Sequence, residues 1–164
     1  MPDKATIKRA KRDKREGKSA STQAGEFVHQ EIENIRKGKH GARNTKQAIA
    51  IGLSEARRAG VEVPQPKKGT VSEKTRANAR RESEKGQRHE PVSKTRSQAS
   101  VKTLKKESTD AASPGALSRQ TRSAAAKRSA SDKSRAAKQA SATKGPRERS
   151  TAAKKAARTR ASHR

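Results

Sequence analysis

The sequence predicts a mostly disordered chain that holds one small all-α element, a helical hairpin at about residues 22–60, between basic flanks that are helical only transiently. Leu, Ile, Val and Phe together number 15 of 164 residues, whereas 43 Lys and Arg stand against 16 Asp and Glu, for a formal net charge of +27. A chain with less than roughly 20% of these apolar residues and a high net charge buries too little area to offset the entropy cost of ordering. Nine of the 15 lie between Phe27 and Val63, which is where the hairpin is expected.

Composition divides the chain into four segments. Residues 1–20 are a basic N-terminal arm with a marginal helix, and residues 21–66 contain the hairpin. Residues 67–110 are a charged and mostly disordered linker, and residues 111–164 are a disordered tail. A fragile helix is expected at 71–85, and no fixed structure is expected beyond about residue 86, because the remaining sequence offers no continuous apolar face.

The first helix of the hairpin is expected to begin near Ser21 or Thr22, either of which can cap it, and to end before Gly38. At 3.6 residues per turn, its apolar residues form one narrow stripe that suits a single neighbouring helix. Glu31 falls inside that stripe, either as a carboxylate reaching solvent at its edge or as the partner of an Arg or Lys on the facing helix. The stripe consists of Ala24, Phe27, Val28, Ile32 and Ile35.

The second helix is expected to start at Asn44 or Thr45 and to end at Gly60. Gly52 inside it costs about 1 kcal/mol relative to Ala, which close packing of two helices would offset. The apolar face looks too wide for one narrow partner, so the hairpin is expected to self-associate as a homodimer. The residues predicted to pack the hairpin are Phe27, Val28, Ile32, Ile35, Ile49, Gly52, Leu53 and Ala56.

The C-terminal tail is a low-complexity sequence of mainly Ala, Ser, Thr, Lys and Arg. Its 15 Lys and Arg face only two acidic residues, Asp132 and Glu148. Uncompensated cations at this density favour phosphate contacts to nucleic acid, and parts of the tail are expected to become helical when those charges are neutralised. The candidate contacts are Arg119, Arg122, Lys127, Arg128, Lys133, Arg135, Lys138, Lys144, Arg147, Arg149, Lys154, Lys155, Arg158 and Arg160.

Other function classes find little support in the sequence. The chain has no Cys and four scattered His residues, and no glycine-rich loop ends in Gly-Lys-Ser/Thr, so no metal, cofactor or catalytic site is predicted. No apolar run approaches the roughly 20 residues of a membrane span. The N-terminus has positive charge but no apolar centre, so the expected location is the cytoplasm, at the nucleoid.

Two stretches resemble known proteins. Lys46 to Gly60 reads KQAIAIGLSEARRAG and resembles the KQAIAIxLSEARxAG motif of an uncharacterised bacterial family of small basic proteins, which implies no chemistry. The steps of Ala and Lys from Ala152 to Ala157 are similar in composition to the tails of linker histones and bacterial histone-like proteins. This second resemblance implies condensation of DNA through neutralised phosphates.

The favoured function is therefore sequence-nonspecific nucleic-acid binding, with DNA preferred over RNA, and compaction of DNA as a nucleoid-associated, histone-like protein. One alternative is an RNA- or ribosome-associated basic protein, because RNA presents similar phosphates. Another alternative is a disordered stress-protective or scaffolding protein whose hairpin binds a protein partner. Reading of bases on aromatic rings is not expected, because Phe27 is the only aromatic residue.

Overall fold

Helices cover most of residues 3–143 and 145–162, the part of the chain that the computed structural model describes. Contacts divide the chain into two compact units, Met1–Gln120 and Thr121–Arg164. The described residues form eight α-helices and one short 3-10 helix, η1: α1 Lys4–Arg15, α2 Ala20–Arg36, α3 Thr45–Arg58, α4 Glu73–Gln87, α5 Lys94–Leu104, η1 Asp110–Ala112, α6 Pro114–Ala126, α7 Ala130–Thr143 and α8 Pro146–Ser162.

The prediction of a mostly disordered, intrinsically disordered chain is wrong, because the protein is a folded all-helical molecule. The tail, which was predicted to be a disordered low-complexity segment, is likewise folded and helical, in α6, α7 and α8. The prediction counted only large apolar side chains, whereas much of the core is alanine. Alanine has the highest helix propensity and lets helices approach closely, so little Leu or Ile is needed. The buried alanines are Ala10, Ala24, Ala42, Ala48, Ala56, Ala79, Ala111 and Ala112.

Short polar side chains set the starts of the first helices. Asp3 Oδ1 accepts a hydrogen bond from the Ala5 amide at 3.1 Å and caps α1. Ser19, rather than the expected Ser21 or Thr22, caps α2. Such caps satisfy amides that have no partner inside the helix.

The second helix of the hairpin is capped at both ends. Asn44 Oδ1 accepts from the Gln47 amide at 2.9 Å, so α3 begins at Thr45. Gly60 has a φ of +84°, and the Val61 amide donates to the Ala56 carbonyl at 3.0 Å. This left-handed glycine stop closes the end of the helix.

The helices α2 and α3 pack closely and run in opposite directions. Ala56 of α3 joins Phe27 in one core cluster, whereas Ala48 joins Ile35 in the other. Between the clusters a Cβ on Gly52 would lie 2.7 Å from the Val28 Cα. The small residues of α3 therefore contact α2 of the same chain. Phe27 is 1% exposed and belongs to the core.

The other elements of the first unit cover the two ends of this pair. α1 packs on α2 and adds Ile7 and Ala10 to the Phe27 cluster, while α4 packs on α3. η1 contacts both α2 and α3 and adds Ala111 and Ala112 to the Ile35 cluster. The apolar faces of the hairpin are thus covered in part within one chain, while Val28, Ile49 and Leu53 remain half-buried. The homodimer stays a prediction.

The segment beyond residue 86 is ordered because it supplies part of the core. Ala112 is fully buried, and its carbonyl accepts from Arg36 Nε at 3.0 Å. Thr45 Oγ1 donates to the Ala111 carbonyl at 2.7 Å. The compact unit accordingly runs to Gln120, beyond the point where the sequence suggested that the tail begins.

Candidate nucleic-acid interface

The tail helices begin at residues typical of helix starts. Pro114 opens α6, and Ser113 Oγ accepts from the Ala116 amide at 3.2 Å. Ser129 Oγ accepts from the Asp132 amide at 3.1 Å ahead of α7. Pro146 opens α8. Proline suits the first helical position because its missing amide hydrogen would have no partner there.

The predicted tail contacts are spread over these helices, and those described are all exposed. Lys144 lies outside the described residues. Every other candidate presents its charge to solvent on or beside a helix. They are Arg119 and Arg122 in α6, Lys127 and Arg128 before α7, Lys133, Arg135 and Lys138 in α7, and Arg147, Arg149, Lys154, Lys155, Arg158 and Arg160 in α8.

These cations are almost uncompensated. Arg135 forms an ion pair with Asp132 at 3.1 Å, the one carboxylate pair among the described candidate contacts. Arg128 Nη2 donates to the Asp132 backbone carbonyl at 3.2 Å, which leaves its charge unbalanced. The remaining charges are therefore available to an anionic partner.

The longest of these helices, α8, arranges its cations on two sides. At 3.6 residues per turn, Arg147, Lys154 and Arg158 share one face of the helix. Arg149 and Arg160 lie on roughly the opposite face. On one side of the helix the surface between the two rows carries small residues, among them Ser150, Ala153, Ala157 and Ala161. On the other side Glu148 and Lys155 lie between the rows.

A second row of cations lies on α1, within the basic N-terminal arm. Its members recur at i, i+4, i+7 and i+11, and all are exposed. No described carboxylate lies within ion-pair distance of any of them, while Arg9 on the side facing α2 is paired with Glu26. The spacing was visible in the sequence, but the sequence does not show which of these cations acquire a carboxylate partner when the chain folds. The row consists of Lys4, Lys8, Lys11 and Arg15.

A separate group of titratable side chains lies inside the first unit. Glu31 is 2% exposed, and its Oε2 lies 3.5 Å from His40 Nε2. Neither expected arrangement of Glu31 is present, because it is buried and its neighbour is a loop histidine. Burial raises the pKa of Glu31 to about 7, with nearby His40 opposing the shift and Glu55 adding to it. Burial also raises the pKa of Glu55.

The described residues were compared with the requirements of a metal cluster and of a membrane-spanning helix. No cluster of three or more His, Asp and Glu side chains among them is arranged to hold a metal ion. None of the helices in that part of the chain combines the length and the apolar character needed to cross a membrane.

Comparison with known proteins gives one match. Residues 4–68 match the model of a family of unknown function (DUF6496). The match spans α1, α2 and α3, including the segment from Lys46 to Gly60, and it is consistent with similarity to an uncharacterised family. The family match does not test the resemblance of the tail to histone-like proteins, because residues 111–164 lie outside the matched segment. The comparisons with curated proteins and with solved structures found no match.

Proposed function

We propose that this protein binds nucleic acid without sequence preference, through Lys and Arg contacts to phosphates, and that duplex DNA is its main partner. The observation that carries the proposal is the set of exposed cations on α6, α7 and α8, which almost entirely lack acidic partners. Release of the counterions condensed on DNA drives binding of such a surface. Compaction of DNA at the nucleoid is the role that suits this mode of binding.

The cations of the tail lie mainly on α-helices, and this favours duplex DNA over duplex RNA as the partner. The major groove of B-DNA is about 12 Å wide and admits an α-helix, whereas the major groove of A-form RNA is deep and narrow. Arg147 and Arg149 lie on opposite sides of α8, and small side chains separate the two rows on one side of the helix. This arrangement suits contact with the phosphates on both flanks of such a groove. Phosphate contacts position a protein but carry no sequence information.

The second candidate, an RNA- or ribosome-associated protein, is separated from the first by competition. Fluorescence anisotropy with a labelled duplex of arbitrary sequence, competed with unlabelled DNA duplex or structured RNA, ranks the two polymers. The proposal expects DNA to compete better and duplexes of unrelated sequence to compete equally. If structured RNA competed more strongly than the DNA duplex, RNA rather than DNA would be the main partner.

The contribution of the tail is tested by removing three of its cations in the full chain. The triple variant Lys154→Ala, Lys155→Ala, Arg158→Ala is expected to reduce the slope of log K against log salt by roughly 2.7, or about 0.9 per lost contact. Alanine preserves helix propensity, so α8 is retained.

A matched control removes the same charge from exposed lysines of the first unit, Lys67→Ala, Lys68→Ala and Lys74→Ala. A smaller change of slope in the control is expected. Equal changes in both variants would mean that total charge, not the tail surface, determines binding.

A further inference from the structure

The outward face of α1 differs from the rest of that helix in how its charges are balanced. On the side near α2, Arg9 pairs with Glu26. At the end of the helix, Lys18 contacts the buried Asp13 at 2.8 Å. By contrast, Lys8 and Lys11 on the outward row have no carboxylate partner among the described residues. The exposed Arg12 and Lys14 also have carboxylate partners, Glu16 and Glu62. The outward row is thus the part of α1 whose cations have no carboxylate partner among the described residues.

The row is held on a rigid support. Thr6, Ala10 and Asp13, on the inward face of α1, are each at most 3% exposed. Thr6 Oγ1 donates to Gln30 Oε1 at 3.2 Å and accepts from Arg9 Nη2 at 3.0 Å, so polar contacts fix α1 on α2. Because the helix is already ordered, a ligand would not bear the entropy cost of ordering it.

We infer that Lys4, Lys8, Lys11 and Arg15 form a second phosphate-binding surface, on the folded N-terminal unit, that follows the backbone of a duplex. At 1.5 Å per residue the row is roughly 16 Å long, comparable with the rise of about five nucleotides of one DNA strand. Lys8, Lys11, Lys14 and Arg15 also line one open depression on this face. The inference rests on the proposed nucleic-acid binding and adds to it a site within the segment that matches a family.

An anionic membrane is a poorer occupant than a nucleic acid. A helix that lies in a membrane surface needs large apolar side chains on the face opposite its charges. The large apolar residue of α1, Ile7, is half-buried and packs against the core cluster that contains Phe27. Among the described residues, the outward face of α1 therefore has no large apolar side chain that could insert between lipids.

Lysine footprinting of the full chain tests the surface directly. Acetylation of each lysine is measured by mass spectrometry with and without a duplex of arbitrary sequence at low salt. Lys8 and Lys11 are expected to become several-fold less reactive in the complex, while the exposed Lys67 and Lys68 change little. Unchanged reactivity of Lys8 and Lys11 in a complex that forms normally would overturn the inference and leave the proposed function standing.

A double variant gives an independent measure. Lys8→Ala with Lys11→Ala is expected to lower the salt slope of duplex binding by roughly 1.8, whereas Lys67→Ala with Lys68→Ala has a clearly smaller effect. Equal slopes for the two doubles would overturn the inference. Failure of the wild-type chain to bind any duplex would overturn the proposed function itself, and binding of wild type to phosphatidylserine vesicles but not to DNA would assign the row to lipid.

Discussion

Gly52 of α3 lies against the backbone of Val28 in α2, and a Cβ built at position 52 would come within 2.7 Å of the Val28 Cα and 2.9 Å of its nitrogen. Real Cβ atoms essentially never approach other atoms so closely. Because the obstructing atoms belong to the backbone of a packed helix, they cannot move as a flexible side chain would. The spacing of the two helices therefore depends on the absence of a side chain at this position.

The variant Gly52→Ala is expected to lower the free energy of unfolding by roughly 1–2 kcal/mol. Overpacking costs typically 1–3 kcal/mol, and the gain in helix propensity of about 1 kcal/mol offsets part of it. Chemical denaturation followed by circular dichroism measures the change. The matched control is Gly25→Ala in α2, where no atom lies within 4 Å of the added Cβ. That control is expected to be neutral or stabilising by up to about 1 kcal/mol, and a loss as large as that of Gly52→Ala would contradict the packing explanation.

The first compact unit ends at Gln120, which predicts how truncation of the chain changes its stability. A chain ending at Gln120 is expected to keep the helicity and cooperative unfolding of the first unit. A chain ending at residue 110 lacks Ala111 and Ala112, which are 6% and 0% exposed, and should melt several degrees lower because the ends of the Ile35 cluster are then exposed. Thermal melts of both truncations check this. Equal melting temperatures would show that η1 adds nothing to the core.

The buried carboxyl of Glu31 predicts a loss of stability as pH rises. Its pKa is raised from about 4.5 to about 7 in the folded state, so between these values the unfolded chain is ionised while the folded chain keeps the proton. The stabilising contribution is present below about pH 4.5 and is lost as the pH rises towards 7 and above. Glu55, whose pKa is also raised by burial, acts in the same direction, while His40 opposes the change at Glu31.

The variant Glu31→Gln is expected to remove most of this pH dependence, since a neutral amide takes the place of the protonated carboxyl. Relative to wild type, its free energy of unfolding should rise by of order 2–3 kcal/mol between pH 4.5 and pH 8. Denaturation at several pH values supplies the measurement. Glu33→Gln, at a half-buried position two residues away, serves as the control and should follow the wild-type profile. Parallel profiles for wild type and Glu31→Gln would contradict the assignment.

Local sequence signals located α2 and α3 well, because caps and periodic apolar residues act over a few positions. Asn44 and Gly60 occupy the ends of α3 as expected. Buried alanine carries no such signal, since the exposed helices α7 and α8 are also rich in Ala. The role of Ala111 depends on a partner, Thr45, that is distant in the sequence, so the ordered region beyond residue 86 was missed. The cationic row on α1 was missed for a related reason, because only packing decides which charges acquire a partner.

The hydrogen bond between Thr45 and Ala111 tests whether that distant contact stabilises the fold. Thr45 is 6% exposed, and its hydroxyl is 2.7 Å from the Ala111 carbonyl oxygen. Thr45→Val keeps the shape but leaves a buried carbonyl without this donor, which should cost about 1–3 kcal/mol of the free energy of unfolding. Thr45→Ser keeps the hydroxyl and should cost less, since only a methyl group is lost. If the serine variant were the less stable of the two, packing of the methyl group rather than the hydrogen bond would join η1 to α3.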